Sequence, residues 1–407
     1  MLLEFSLTHI RHLFFVIFLS LKLKTMEERN EARRSQFKDL FTAGLERRVR
    51  AAKIESDESR KSLIKSLREA SLVDAEQASP AELRARRLFA KTFMFPDSMI
   101  AVPENLGRDW LVLLRPEGQR CLVVLSSNTV TLRGRNGAVL GSFVLDPFAV
   151  KKTDSVAVFD AMYGFDESSM RKTVFIFDVL LLKGNELIFS DFEFRQFFLK
   201  EHWPFVSGSV PVLGGFEAED VPEFRLVESL PASQVEKLYS DPSPFTPDSL
   251  QFFKRTGKYV NGLSGETLLF RDEHLSRFAI DTKHDEGFDG KETMEIVLSA
   301  KIGKADDIVE FKTWDGVVLH TAQRSTAPRW LRDRLKKGSV LTRCEVSNSF
   351  EFLKLTSSGK PFANSFHRIV DQFRKRRVAL NLPPLGIELM DSPPLAFPAI
   401  VAVLVPS

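Results

Sequence analysis

Only two cysteines, Cys121 and Cys344, occur in the 407 residues, too few for a disulfide framework or a four-sulfur zinc site, and a reducing compartment is the natural reading. An excess of charge of either sign is missing too: 57 basic residues stand against 54 acidic ones, a net of +3. That excludes a bulk polycation coating nucleic acid, so an anion site has to be built locally. The apolar run His12 to Leu21 falls short of the roughly 20 residues needed to span a bilayer and lacks a clear small-residue cleavage site. Met26 then opens a charged run that reads as the start of a soluble protein, so residues 1–25 are read as an apolar upstream extension of uncertain reality, in which no functional residue is placed. His284-Asp285-Glu286 has no metal-ligating partner at helical spacing, and the serines near His320 and His367 have no nucleophile-elbow context. No metal, cofactor or catalytic residue is expected, and no internal repeat is present.

The length calls for two folded domains with extensions. Between Arg29 and Arg68 twelve basic and six acidic residues stand with no proline and one glycine. Phe37, Phe41, Leu45 and Val49 recur every four residues, and Leu63, Ile64 and Leu67 continue the stripe. This is an amphipathic helical pattern, either a solvated arm packed loosely on the body or a basic helix for an acidic partner. Ala78 to Glu82, with Ser79-Pro80, reads as a linker. Strands are then expected at 110–114, 121–125, 129–133, 156–163 and 173–182, and helices at 192–203 and 233–239. A second β-rich block starts at Glu295, runs to Leu355, and ends in a helix from Ser365 to Arg377. The proline-rich apolar tail after Leu382 is not readable as structure.

The segment with most chemical content is Arg115-Pro116-Glu117-Gly118-Gln119-Arg120. It nearly repeats the K-x-D-G-x-R signature of covalent nucleotidyltransferases, with arginine where the attacking lysine belongs. A lysyl-nucleotide intermediate needs an amine that can lose its proton. A guanidinium stays protonated and delocalised, so Arg115 can only pair with phosphate as a cation. The alternative is a β-hairpin whose turn happens to read PEGQR.

Phe93 to Pro103, Leu106-Gly107, Trp110-Leu-Val112, Pro116-x-Gly118-x-Arg120, Phe177-Asp178-Val179 and Phe192-x-Phe194 together resemble the snurportin family over about 100 residues. Those proteins are import adaptors for trimethylguanosine-capped RNA, and their cap-binding domain is a guanylyltransferase relative without the lysine. Arg34-Ser35-Gln36-Phe37-Lys38 and Glu46-Arg47-Arg48 resemble the family's importin-β-binding segment. The C-terminal third is similar to the OB-type domain of mRNA capping enzymes, through Gly303 to Lys312 and Phe350 to Asn364, although the basic residue expected at Glu310 is missing. Tyr259-Val260-Asn261-Gly262 is a degenerate form of the preceding D-G motif.

The resemblance implies an α+β chain. A helical importin-β-binding arm occupies 27–75, a guanylyltransferase-like cap-binding domain 88–290, an OB-like β domain 295–380 and a tail 381–407. Snurportin holds the methylated purine between two tryptophans; here the first aligns with Ser98 and the second with Phe311, three residues from Trp314. Phe93 and Phe95 lie close enough to Ser98 to substitute, or are core aromatics of the first strand. The resemblance therefore implies a cap site formed by Phe311, Trp314, Arg115, Arg120, Arg135, Ser98 and Asp178, with the arginines facing phosphate and Asp178 a structural or ribose-contacting acid. It implies an importin-β site at Arg33, Arg34, Arg47, Arg48, Lys61 and Lys65, and an exportin for recycling. The expected ligand is trimethylguanosine-capped small nuclear RNA, carried by a non-enzymatic protein that shuttles between cytoplasm and nucleus. Two other readings stay open. One is a divergent guanylyltransferase with its nucleophile moved to Lys151, Lys152 or Lys254; the other is an adaptor that has lost cap binding.

Overall fold

The computed structural model describes residues 57–404 apart from 74–78, 146–155, 206–220, 242, 282–289, 291–292, 304–306, 349–350, 361 and 385–387. The upstream extension, most of the basic arm, Lys151, Lys152 and His284-Asp285-Glu286 lie outside the described residues. The chain divides into two compact units. The larger comprises Arg50–Lys291, His367–Gln372 and Pro394–Ser407; the smaller includes Glu292–Phe366 and Phe373–Pro393.

The larger unit begins with helices α1 (Asp57–Ser71) and α2 (Pro80–Thr92). Ile64, Leu67 and Ala70 repeat every three residues on α1 and are all buried, and Arg68 donates to the Gly184 carbonyl at 2.9 Å. The described end of the basic segment is therefore packed on the body. The segment read as a linker is instead the start of a helix. The Ser79 hydroxyl accepts the Glu82 N–H at 3.1 Å, with proline in the first turn. Glu82 also clasps buried Arg133 through two bonds of 2.6 and 2.8 Å, which ties α2 to the body. Ser79→Ala is expected to cost about 1 kcal/mol of stability, read as a lower melting temperature with unchanged ligand binding.

After α2 the chain forms β1 (Met94–Ser98), the short α3 (Leu106–Asp109) and β2 (Trp110–Pro116). Then come β3 (Gln119–Ser126), β4 (Thr129–Gly134), β5 (Val139–Val144), β6 (Ala157–Asp166), β7 (Arg171–Leu182) and β8 (Asn185–Glu186). Helix α4 (Phe192–Glu201), β9 (Glu223–Leu226), β10 (Leu230–Pro231), α5 (Val235–Ser240), β11 (Pro247–Lys254) and β12 (Gly262–Phe270) complete the set. These strands make two sheets. One has the order β1-β12-β11-β2-β10; the other runs β5-β4-β3-β6-β7-β8, with β9 paired to β7. β2 and β3 are not partners. β2 pairs with β11 and β10, and β3 with β4 and β6, so the PEGQR segment is not a hairpin turn but the crossing from one sheet to the other. The crossing is tight: a Cβ at Gly118 would stand 2.5 Å from the Tyr163 carbonyl oxygen, closer than atoms can approach.

Both sheets carry buried apolar cores. β3 is buried from Arg120 to Leu125, as a strand with both faces covered must be. The tail has a structural place after all, because Phe397 stacks on Tyr239 at 3.6 Å and Ile400 is fully buried in the core beside Leu106.

The smaller unit is a single antiparallel sheet of β13 (Thr293–Ile302), β14 (Ile308–Lys312), β15 (Val318–Gln323), β16 (Val340–Ser347) and β17 (Phe352–Ser357), ordered β15-β14-β13-β16-β17. Helix α6 (Arg329–Leu335) connects β15 to β16. A three-strand meander whose fourth strand returns beside the first is a Greek key, the topology of OB-type barrels. Helices α7 (Phe366–Ala379), α8 (Glu388–Asp391) and α9 (Phe397–Leu404) follow.

Candidate functional site

The sheet crossing brings together three of the arginines expected at an anion site. Arg115 stands near the end of β2, Arg120 near the start of β3, and Arg135 in the turn after β4. The rings of Phe93, Phe95 and Phe177 lie 5.5–5.7 Å from the Arg120 guanidinium. Phe95 also has Arg135 over it at 5.0 Å, so one ring serves two cations. Cation–π attraction partly offsets the repulsion between them.

Arg120 is almost wholly buried and grips Asp160 through two bonds of 2.9 and 2.6 Å. Tyr259 donates its hydroxyl to the same carboxylate at 2.7 Å and accepts the Met94 N–H at 3.3 Å. Burial works against the Arg120 charge, but attraction to Asp160 overrides it, so the guanidinium sits above its ordinary value. A fork held on a carboxylate and enclosed by three rings is not available to phosphate. The expectation that Arg120 faces the ligand is corrected: it is the pillar on which the site is built.

Asp160 and Asp178 face each other across β6 and β7, and like charges so placed repel unless each is neutralised. Asp178 is, by Arg195, which reaches its two oxygens at 2.8 and 2.9 Å and also donates to the Ser190 and Gly257 carbonyls. Asp178 and Arg195 are both fully buried. Of the two roles open to Asp178, the structure selects the structural one, since no oxygen is open to a ribose.

Arg115 differs. Its Nε is buried without a hydrogen-bond partner, its Nη2 meets only the Met162 sulfur at 3.4 Å, and its nearest carboxylate, Asp248, is 3.8 Å away. Asp248 is already held by Arg271 at 2.6 and 2.7 Å. Desolvation, opposed by Asp248 but assisted by Arg120 and Arg271, pulls the Arg115 guanidinium down to about 10. Arg135 is exposed by surface area, yet its surroundings are crowded. Burial of its stem, then the charges of Arg120, Arg115 and Arg368, pull it down to about 9. Two neighbouring depressed guanidinia mark a place where an anion would be stabilised.

Ser98, at the end of β1, is half-buried, and its N–H donates to Asp97 at 3.0 Å. Phe93 and Phe95 are both buried, which makes them core aromatics. Phe311 and Trp314 belong to the smaller unit. Phe311 is completely buried in β14, 5.5 Å from His320, so neither face of its ring is open to a purine. Trp314 is half-buried against Phe362 at 4.6 Å.

Residues 92–269 match the family model of the Snurportin1 m3G cap-binding domain. This stretch belongs to the snurportin family. The snurportin match takes in both sheets' share of the arginine cluster, from β1 to β12, and ends before Phe311 and Trp314. Placing a stacking ring at Phe311 is therefore corrected on burial, and both residues fall outside the matched stretch. Among solved structures the chain is similar to the ligase domain of M. tuberculosis LigD, at 10% identity and TM-score 0.29, covering 67% of this chain and 91% of that one. It is also similar to mycobacterial DNA ligase D complexed with ATP and MES, at 13% identity and TM-score 0.30 over the same shares. Overlaps this loose assign no residue a role.

Several residues of the cluster escaped sequence reasoning. Asp160 interrupts an apolar strand, and Arg195 sits in an aromatic helix; a charge in such a setting demands a buried partner. Asp248, Arg271 and Arg368 carry no comparable signal.

Proposed function

We propose that the snurportin-type domain binds the 5′ trimethylguanosine cap of RNA without catalysis, and that the whole chain acts as an import adaptor for the capped small nuclear RNA. The observation that carries the reading is Arg115: at the position of an attacking lysine stands a largely buried cation whose Nε has no hydrogen-bond partner and whose nearest carboxylate, Asp248 at 3.8 Å, is already held by Arg271. Arg115 and Arg135 take the cap phosphates, each by charge-assisted bonds, while Arg120–Asp160–Tyr259 keeps the two sheets in register beneath them. Snurportin's second stacking position has no assigned occupant, and Ser98 replaces the first tryptophan. Purine selectivity is accordingly weaker than phosphate affinity.

The test is a titration of the full chain with trimethylguanosine, monomethylguanosine and unmethylated cap dinucleotides. Binding of all three, with the trimethylated form preferred, is expected. Arg135→Ala should weaken all three by about tenfold, since it removes one charged hydrogen bond. Failure of every dinucleotide to bind a folded protein would leave the adaptor without cap binding as the better reading.

For the adaptor role, the residues concerned are Arg33, Arg34, Arg47, Arg48, Lys61 and Lys65. Contacts dominated by charge weaken with salt. Importin-β should bind the full chain at low salt, lose affinity steeply at moderate salt, and ignore a variant carrying Arg47→Glu and Arg48→Glu. Equal affinity for that variant removes the basic segment from the argument. An exportin that returns the protein to the cytoplasm completes the proposed cycle.

A further inference from the structure

The smaller unit holds a cleft of about 500 Å³, open to solvent and lined by Asp307, Arg324, Ser325, Arg329, Arg332, Asp333 and Lys336. Residues 324–337 carry six cations and one carboxylate, more net positive charge than the +3 of the whole chain. Arg329, Arg332 and Lys336 recur on one side of α6 and the residue that follows it, a row roughly 10 Å long at 1.5 Å per residue. Asp333 lies 3.9 Å from Arg329 and 3.1 Å from Lys336. It is 56% exposed, and pairs so exposed contribute little and yield readily to another anion.

We propose that this cleft is a second site, which takes the phosphodiester backbone of RNA. The row is too long for one phosphate and suits successive phosphates along a strand. Among the described residues the lining has no apolar side chain, whereas a docked peptide or a lipid surface needs an apolar anchor. A phosphate track needs only cations, and reads no sequence. The proposal deepens the reading above, because its ligand is the RNA body behind the cap. The two nevertheless fail separately: a cap dinucleotide tests the first site alone, and uncapped RNA the second.

The experiment measures binding of the full chain to a fluorescent uncapped single-stranded RNA across a salt series. A variant with Arg329→Ala, Arg332→Ala and Lys336→Ala should lose about tenfold or more in affinity, and its salt dependence should be shallower by about two units of slope, three contacts at about 0.7 each. Its affinity for the cap dinucleotide should not change, which also certifies the fold. Asp333→Asn removes the competing carboxylate and should bind the same RNA more tightly than wild type. Unchanged RNA affinity in the triple variant, weaker RNA binding by Asp333→Asn, or equal competition by polyglutamate of matched charge would each overturn the proposal; the last would make the ligand an acidic peptide.

Discussion

Asp178→Ala is expected to destabilise the protein by roughly 3–5 kcal/mol. The substitution strips a fully buried Arg195 of the carboxylate it holds through two bonds, while the Ser190 and Gly257 carbonyls satisfy only one of its nitrogens. Removing one partner of a buried ion pair costs roughly 3–5 kcal/mol, because the remaining charge has lost both water and counter-ion. That is a large share of the roughly 5–15 kcal/mol by which a domain is stable. Chemical denaturation should show the loss as a lower midpoint at constant slope. The paired variant Asp178→Leu with Arg195→Met removes both charges and should recover most of the stability, since an apolar pair of similar volume is often as good as the ion pair. If Asp178 instead held a ribose, Asp178→Ala would melt like wild type and lose only ligand affinity.

The regular elements were legible where their signal was local. β4, β6 and β7 are apolar runs bounded by turn residues, and α4 and α7 show helical spacing. What failed was anything decided by a distant partner. β2 and β3 looked like a hairpin because the sequence between them is short, but their partners are β11, some 130 residues away, and β6. α2 was hidden by its proline, though Ser79 and Glu82 stand at the spacing of an N-cap and its third helical residue. The apolar tail gave no sign that Tyr239 and Leu106 await it.

The site divides in the same way. That Arg115, Arg120 and Arg135 belong together was visible from one motif and from the family resemblance at Arg135. Which of them is locked on a buried carboxylate was not, since Asp160 lies 40 residues from Arg120 and no spacing rule joins them. Phe311 was chosen by alignment, and alignment does not report that β13 and β15 enclose β14.

Arg115→Met should separate ligand binding from stability most sharply. The cation has an unpaired buried Nε, and an unsatisfied buried donor costs about 1–3 kcal/mol. Methionine has a similar reach, suits the neighbouring Met162 sulfur, and leaves no charge stranded. Asp248 keeps both bonds to Arg271 and the Ser249 hydroxyl at 3.1 Å. The melting temperature should therefore hold or rise. Cap affinity should fall by about ten- to a hundredfold, because a charged hydrogen bond to phosphate contributes about 1.5–3 kcal/mol. The loss should be equal for methylated and unmethylated caps, since the contact is to phosphate and not to the purine. Stability gained together with affinity lost is what a residue retained for its ligand produces. A variant that instead melts early and binds the cap as before would show Arg115 to be a pillar like Arg120, and would move the phosphate contact to Arg135 alone.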